Sequence, residues 1–459
     1  MKRPIHVAAL AALLLASALL AGPAAAAEAK KSEYRGWPSL ALSNGIVEVQ
    51  VVPDIGGRVI QLSLGGFEYL WVNPRLAGKP PTPDGLGPDK GWLNYGGDKL
   101  WPAPQGWDGE DQWPGPPDGV LDGSPHRGEI TAPSGPGGAT VRLTSPESPR
   151  CGIQLSRTVR VFDGASRVAF ASTMKNTGTT PRRWGIWQVT QLNAASRTGA
   201  GYNKDIRCYA PVNPASMHPR GYIEMFGLVN NPSFSVVTPA PGRRLVCASY
   251  RRIVGKIGVD CSAGWTATVD GESGHVFAEM FACVPDRKYP DNASVEFWMN
   301  GAGQFVCGPA VVESKDDPVE TPHLVESEIL SPFAELQPGE SYTFHNAWGA
   351  ARIGGSFPAI DCTAAGVTCE PLTAARAGDK VALKGRFGVF AVGKAGAVFR
   401  AADGKECGTA DLAAAVSPLE PFVLAAEAAA PAEADTVTLV VREADGKAVE
   451  LARAAIRNP

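Results

Sequence analysis

Residues Trp92 to Trp113, WLNYGGDKLWPAPQGWDGEDQW, hold four of the eleven tryptophans, interleaved with Asn94, Asp98, Lys99, Gln105 and Asp108. A core strand would be richer in Val and Ile and poorer in Gly, Pro and charge. Flat aromatic faces beside donors and acceptors are what a sugar ring requires, since its C–H surfaces stack and its hydroxyls hydrogen-bond. The block therefore reads as the floor of a carbohydrate pocket, with Asn94, Asp98, Lys99, Trp101, Gln105 and Trp107 touching a mono- or oligosaccharide. The competing reading is a Trp-rich loop over a sheet edge, with Asp98 and Lys99 as a solvated pair.

Strands must position such a floor, and strand signals dominate the chain. GIVEVQVVP, RVIQLSLGG, ATVRLTS, SRTVRVFD, RVAFASTMKN, GHVFAEMFAC and SVEFWMN alternate or run in β-branched and aromatic residues, and Gly, Pro, Asn or Asp closes nearly every one. Helical periodicity is scarce. An all-β chain with a large antiparallel sandwich is predicted rather than a βαβ architecture. After Trp348 the composition turns Ala-rich and Trp-free, and DKVALKGRFGVF, AVFRAAD, EPFVLAAEA and DTVTLVVREADGKAVELARAAI predict a small Ig-like β-sandwich over residues 357–459. No polar catalytic cluster occurs there, so this part reads as an accessory module.

The first 27 residues carry Lys2 and Arg3, then an apolar run from Val7 to Leu20, then small residues ending near Ala27. That is the pattern of a cleavable signal peptide, and with no Cys after LLAG to carry a lipid, a periplasmic or secreted protein is expected. No later run approaches the roughly 18 apolar residues of a membrane span. Loss of Lys2 and Arg3 moves the formal charge from −3 to −5, and the remaining charges are mixed, so neither a nucleic acid nor a lipid surface is an expected partner. Partner proteins are not legible.

Nine cysteines are spread from Cys151 to Cys407. Cys362 and Cys369 are close enough for a local bridge, and a pair of buried thiols is the equal alternative. No CxxC or His pair has zinc spacing, and DGEDQWPGPPDG lacks the oxygen spacing of a calcium loop, so neither metal nor cofactor is expected.

Several segments in order, LSNGIVEVQVVPDIGGRVIQLSLGGFEYLWVNP, NYGGDKLWPAPQGW, WGIWQVTQLN, KYPDNASVEFWMN and HLVESEILSPFAELQPGESYTF, resemble a branch of the galactose-mutarotase-like superfamily over residues 37–352. The resemblance implies a supersandwich whose concave sheet binds a sugar. Ring opening of a pyranose needs a base at the anomeric hydroxyl and an acid at the ring oxygen. In aldose epimerases the base is a Glu on a late strand before an L-x-PGE-like turn, which here is Glu326. Glu328 shares its strand face, whereas His323 has the opposite parity. The family's acid is a His on a central strand, and WGIWQVTQLN has none; Gln188 and Gln191 there bind hydroxyls but are not acids. Lys99, His126 and His275 are the remaining acid candidates. Arg58 matches a pocket-lining strand and offers a bidentate grip.

Three functions remain open: an exported sugar-binding protein, non-catalytic or weakly so; an aldose 1-epimerase with Glu326 as base; and a polysaccharide lyase or glycoside hydrolase relative, for which Arg58, Tyr95 and His126 form the group of interest.

Overall fold

The computed structural model describes residues 26–82, 86, 87, 91–135, 137–308 and 310–458. Most of residues 1–27, on which the signal-peptide expectation falls, lies outside the described residues. Residues 28–352 form two antiparallel sheets, one of twelve strands and one of ten. The central run of the larger sheet is Arg58–Leu64, Asp98–Ala103, Arg182–Asn193, Leu324–Leu330, Val295–Met299, Gly255–Val259 and Ile223–Gly227, each paired with the next. It is called here the floor sheet. The smaller, backing sheet is centred on Trp265–Asp270, His275–Phe281, Ser341–Arg352, Val168–Asn176 and Ile153–Val161.

Residue alternation explains why the two sheets face each other. In Ile153–Val161 the odd residues are buried and the even ones are partly wet, as in a strand with one face on a core. The Arg182–Asn193 strand differs: every residue from Trp184 to Leu192 is buried, because both of its faces are covered. One continuous apolar core, including Val49, Leu62, Phe170, Trp184, Phe277, Phe297 and Trp348, fills the space between the sheets. Among the described residues the only helical element is the 3-10 turn Pro290–Asn292. No helix there is long and apolar enough to cross a membrane.

Residues 361–457 form a separate eight-stranded sheet curled around its own core of Leu383, Phe387, Phe399, Leu439 and Leu451. A further apolar cluster joins it to the outer face of the backing sheet, where Tyr209, Trp265 and Val276 meet Ile353, Val367 and Phe390. Gly349 permits this contact, since a Cβ there would lie 2.5 Å from the Phe390 ring. Arg167 adds a two-bonded pair with Glu443 at 2.6 and 2.7 Å.

Of the two alternatives for Cys362 and Cys369, the structure has the unbridged thiols. All nine are free thiols, Cys362 and Cys369 included. Cys362 is the cross-strand partner of Val367, so Cys369 stands two residues along as a diagonal neighbour. Such neighbours are about 7–8 Å apart, beyond the reach of a disulfide.

Candidate functional site

Register across the floor sheet decides which side chains meet. Trp187 pairs with Trp101, Val189 with Lys99 and Glu328, and Gln191 with Glu326; beyond them Glu326 pairs with Trp298 and Trp298 with Lys256. Cross-strand partners share a face. All of these therefore point away from the backing sheet, toward a pocket of about 1030 Å³. Its floor and walls include Trp71, Asn94, Trp101, Gln105, Trp187, Gln191, Lys256, Trp298 and Glu326.

Glu326 is the carboxylate of the floor that reaches the cavity, with a side chain 15% exposed. Gln191 Nε2 donates to Glu326 Oε1 at 2.6 Å, and Lys99 Nζ lies 3.3 Å from the same oxygen. The Lys99 side chain is 2% exposed and is screened by the rings of Trp92 and Trp101, with Nζ 5.3 and 4.7 Å from their centroids. Burial lowers its pKa, and Glu326 pulls in the opposite direction. Lys99 thus supports Glu326 from beneath and does not line the cavity.

A second charged group lies at the far side of the floor, where Lys256 lines the cavity and its two acidic partners are buried. Lys256 Nζ sits 2.7 Å from Glu296 Oε2 and 2.9 Å from Glu328 Oε2, and Trp187 Nε1 donates to Glu328 Oε2 at 2.7 Å. Burial pushes the Glu328 carboxyl up to about 8, against the pull of Lys256. Burial also opposes the Lys256 charge, but the two carboxylates outweigh it and raise that lysine above its usual value. One cation serves two buried acids, an arrangement that favours protonation of one of them.

The wall facing these strands is tied on by backbone. Trp71 N–H donates to the Gln191 carbonyl at 2.9 Å, and Gly97 N–H donates to the Trp71 carbonyl at 2.8 Å. Gly96 and Gly97 both have positive φ, and a Cβ on Gly96 would collide with the Trp71 carbonyl. Asp122 orients the next ring: it accepts from Trp92 Nε1 at 2.6 Å and from Arg58 Nη2 at 2.6 Å.

The structure sorts the sequence-predicted residues by parity. Asn94, Trp101, Gln105, Gln191 and Glu326 come together around the cavity. Asp98 and Gln188 do not: they lie one residue out of phase and point between the sheets. Asp98 pairs there with Arg157 and accepts from Thr190 Oγ1 at 2.8 Å. Arg58 is buried beneath the wall and acts on the pocket only through Asp122 and Trp92. Glu328 points the expected way but is sealed below the floor by Trp187 and Lys256. Trp107 is 41% exposed and packs over Gly308 at the tip of the Gly303–Ser314 hairpin.

The histidines are also corrected. His323 precedes the Leu324–Leu330 strand, so strand parity does not govern it; it lines the cavity, with Nδ1 2.7 Å from Arg252 Nη1. His126 is enclosed against Gly57, where burial pushes its pKa down to about 3. His275 stacks on Phe67 at 3.9 Å, away from the cavity. Tyr95 and Arg58 do lie together, 5.8 Å apart, but in a buried cluster closed to a polymer.

Sequence reasoning missed Lys256, Glu296, Trp298, Phe226, Phe305 and Trp71. Lys256 alone had a signal, a lysine inside the apolar run VGKIGV, which calls for a buried acidic partner. Among the described residues no cluster of three or more His, Cys, Asp or Glu side chains is arranged to hold a metal ion.

Fold and site together define an all-β supersandwich whose larger sheet floors an aromatic-walled pocket. The chain belongs to the family described as "Domain of unknown function (DUF4380)", which matches residues 38–351. No curated protein matches the chain. Similar solved structures include a TPR-domain containing protein from Parabacteroides distasonis ATCC 8503, at 16% identity over 70% of this chain and 48% of that one, with a TM-score of 0.45. The chain spans about half the length of that protein. Two others are galactose mutarotase-like proteins. That from Lactobacillus casei ATCC 334 has 11% identity, coverage of 68% and 99%, and a TM-score of 0.42; that from Clostridium acetobutylicum has 10%, 71% and 99%, and 0.39.

Proposed function

We propose that the chain is an exported carbohydrate-binding protein whose ligand lies on the floor sheet against Trp101 and Trp187, with Glu326 and Gln191 hydrogen-bonding its hydroxyls. The observation that carries this reading is the composition of the cavity wall: tryptophan rings, partly exposed at Trp92 and Trp298 and nearly buried at Trp71, Trp101 and Trp187, with Asn94, Gln105, Gln191 and Glu326 between them. An apolar ligand would leave the cavity-facing hydrogen-bonding capacity of those groups unused, and a purely polar one would waste the rings. Export rests on the leader pattern of residues 1–27.

The pocket is weaker in the means for ring opening than for binding. Glu326 is placed as a base, but the cations near it are committed: Lys99 is screened from the cavity, and Lys256 is held by Glu296 and Glu328. His323, which also lines the cavity, is a further group to weigh, but burial lowers its pKa, with Arg252 adding to the effect. This arrangement favours a binder, or a weak epimerase, over an efficient one. Titration of tryptophan fluorescence with reducing sugars and uronates tests the reading. Saturable quenching that weakens in Glu326→Gln is expected; an unchanged spectrum across the panel would overturn it.

A further inference from the structure

Glu326 does not stand at the end of the cavity. Its cross-strand neighbours divide the lining into two aromatic groups: Trp101 and Trp187 on the side of Gln191, and Trp298 with Phe226 and Phe305 on the other. The second group is built from three separate elements, the edge strand Ile223–Gly227, the strand Val295–Met299 and the hairpin arm Gly303–Cys307. Its rings meet edge to face, with centroids 5.1 Å apart for Trp298 and Phe305, 6.3 Å for Phe226 and Trp298, and 6.5 Å for Phe226 and Phe305.

Three features separate this group from core packing. All three rings line the cavity, and none is fully buried. Phe305 turns toward the cavity while its hairpin neighbours Val306 and Val311 face outward, 58% and 69% exposed. Asn300 and His323 also line this end, so polar atoms flank the rings as they do near Glu326. The volume agrees: about 1030 Å³ matches the top of the roughly 300–1000 Å³ range of sites that bury a drug-sized ligand, far more than one pyranose fills.

We propose that Phe226, Trp298 and Phe305 form a second sugar subsite, so that the ligand is a glycoside or oligosaccharide of at least two rings, one at Glu326 and one on this aromatic shelf. The proposal rests on the carbohydrate reading of the pocket and narrows it to a substrate class. Phe305, on a hairpin outside both sheets, is the residue that sets the gain from the second ring.

Calorimetric titration of the full chain with glucose and galactose, and then with cellobiose, maltose and lactose, tests it. At least one disaccharide is expected to bind about tenfold or more tighter than its constituent monosaccharides. Phe305→Ala should remove that gain and leave monosaccharide affinity within about twofold. Phe226→Ala, a change on a different element, should do the same if the hairpin variant misfolds. Monosaccharides that bind as tightly as the disaccharides, or variants that weaken both equally, overturn the second subsite and leave the first intact. Binding of none of the five sugars removes the pocket reading itself, and the shelf with it.

Discussion

Lys99 and Glu326 meet across the central strand, 3.3 Å apart, although their own strands never touch. Each flanks Arg182–Asn193, and Gln191 of that strand completes the contact. Lys99→Met would keep the apolar packing against Trp92 and Trp101 but leave Glu326 without its cation. A stability loss of about 1–3 kcal/mol in urea unfolding is expected, below the roughly 3–5 kcal/mol of a fully buried broken pair because Glu326 keeps a wet edge. Sugar affinity should fall with it, as Glu326 loses its fixed rotamer. Unchanged affinity would show that Lys99 has no part in positioning that carboxylate.

Asp122 links two buried groups to the pocket wall. Asp122→Ala would strand the Arg58 guanidinium and release Trp92. The expected cost is about 3–5 kcal/mol of stability, together with a shift in tryptophan emission as the Trp92 indole loses its acceptor. Arg58→Ala should match the stability loss but move the emission less, because Asp122 still holds the indole.

The inter-sheet acid Glu279 makes stability depend on pH. Its oxygens accept from Ser327 at 2.5 Å, Thr190 at 3.1 Å and Trp348 at 3.3 Å, and burial pushes its pKa from 4.5 up to about 8. The folded protein therefore holds a proton that the unfolded chain releases above pH 4.5. The stabilisation is complete below that point and is lost as pH rises toward 8. Glu328, shifted the same way, adds to the slope. Above pH 6.5 the buried His126 and His275, which act in the opposite sense, no longer contribute, so between pH 6.5 and 8 Glu279→Gln should flatten the decline in melting temperature, and Glu279→Gln with Glu328→Gln flatten it further. A wild type whose stability rises over that window would contradict the protonated assignment.

Gly96 gives a backbone test. Gly96→Ala forces the Trp71 carbonyl away from the floor strand, at an expected cost of about 1–3 kcal/mol, and should weaken sugar binding because Trp71 lines the cavity. Gly66→Ala, also at positive φ but in open space, should spare binding.

The fold class was legible because strand alternation is local: Ile153–Val161 announces one buried face in nine residues. The Trp-rich block was legible as a pocket element for the same reason, but reading it as a block mixed two faces. Asp98 and Lys99 are adjacent, yet one joins Arg157 between the sheets and the other supports Glu326. Parity could have separated them had the strand limits been known. Lys256, Glu296 and Trp298 could not be reached this way, because the register that brings them to Glu326 and Glu328 is set by the pairing of strands distant in sequence. His323 was misjudged because the strand begins only at Leu324.

The central claim is that the floor of this pocket holds a sugar at Glu326 without efficient ring opening. Exchange NMR of reducing sugars with wild type and Glu326→Gln reports both binding and anomer interconversion. The account predicts saturable broadening of sugar signals in the wild type, reduced in the variant, with anomers interconverting near the rate in buffer. Fast interconversion that collapses in Glu326→Gln, or no broadening with any sugar, would contradict it.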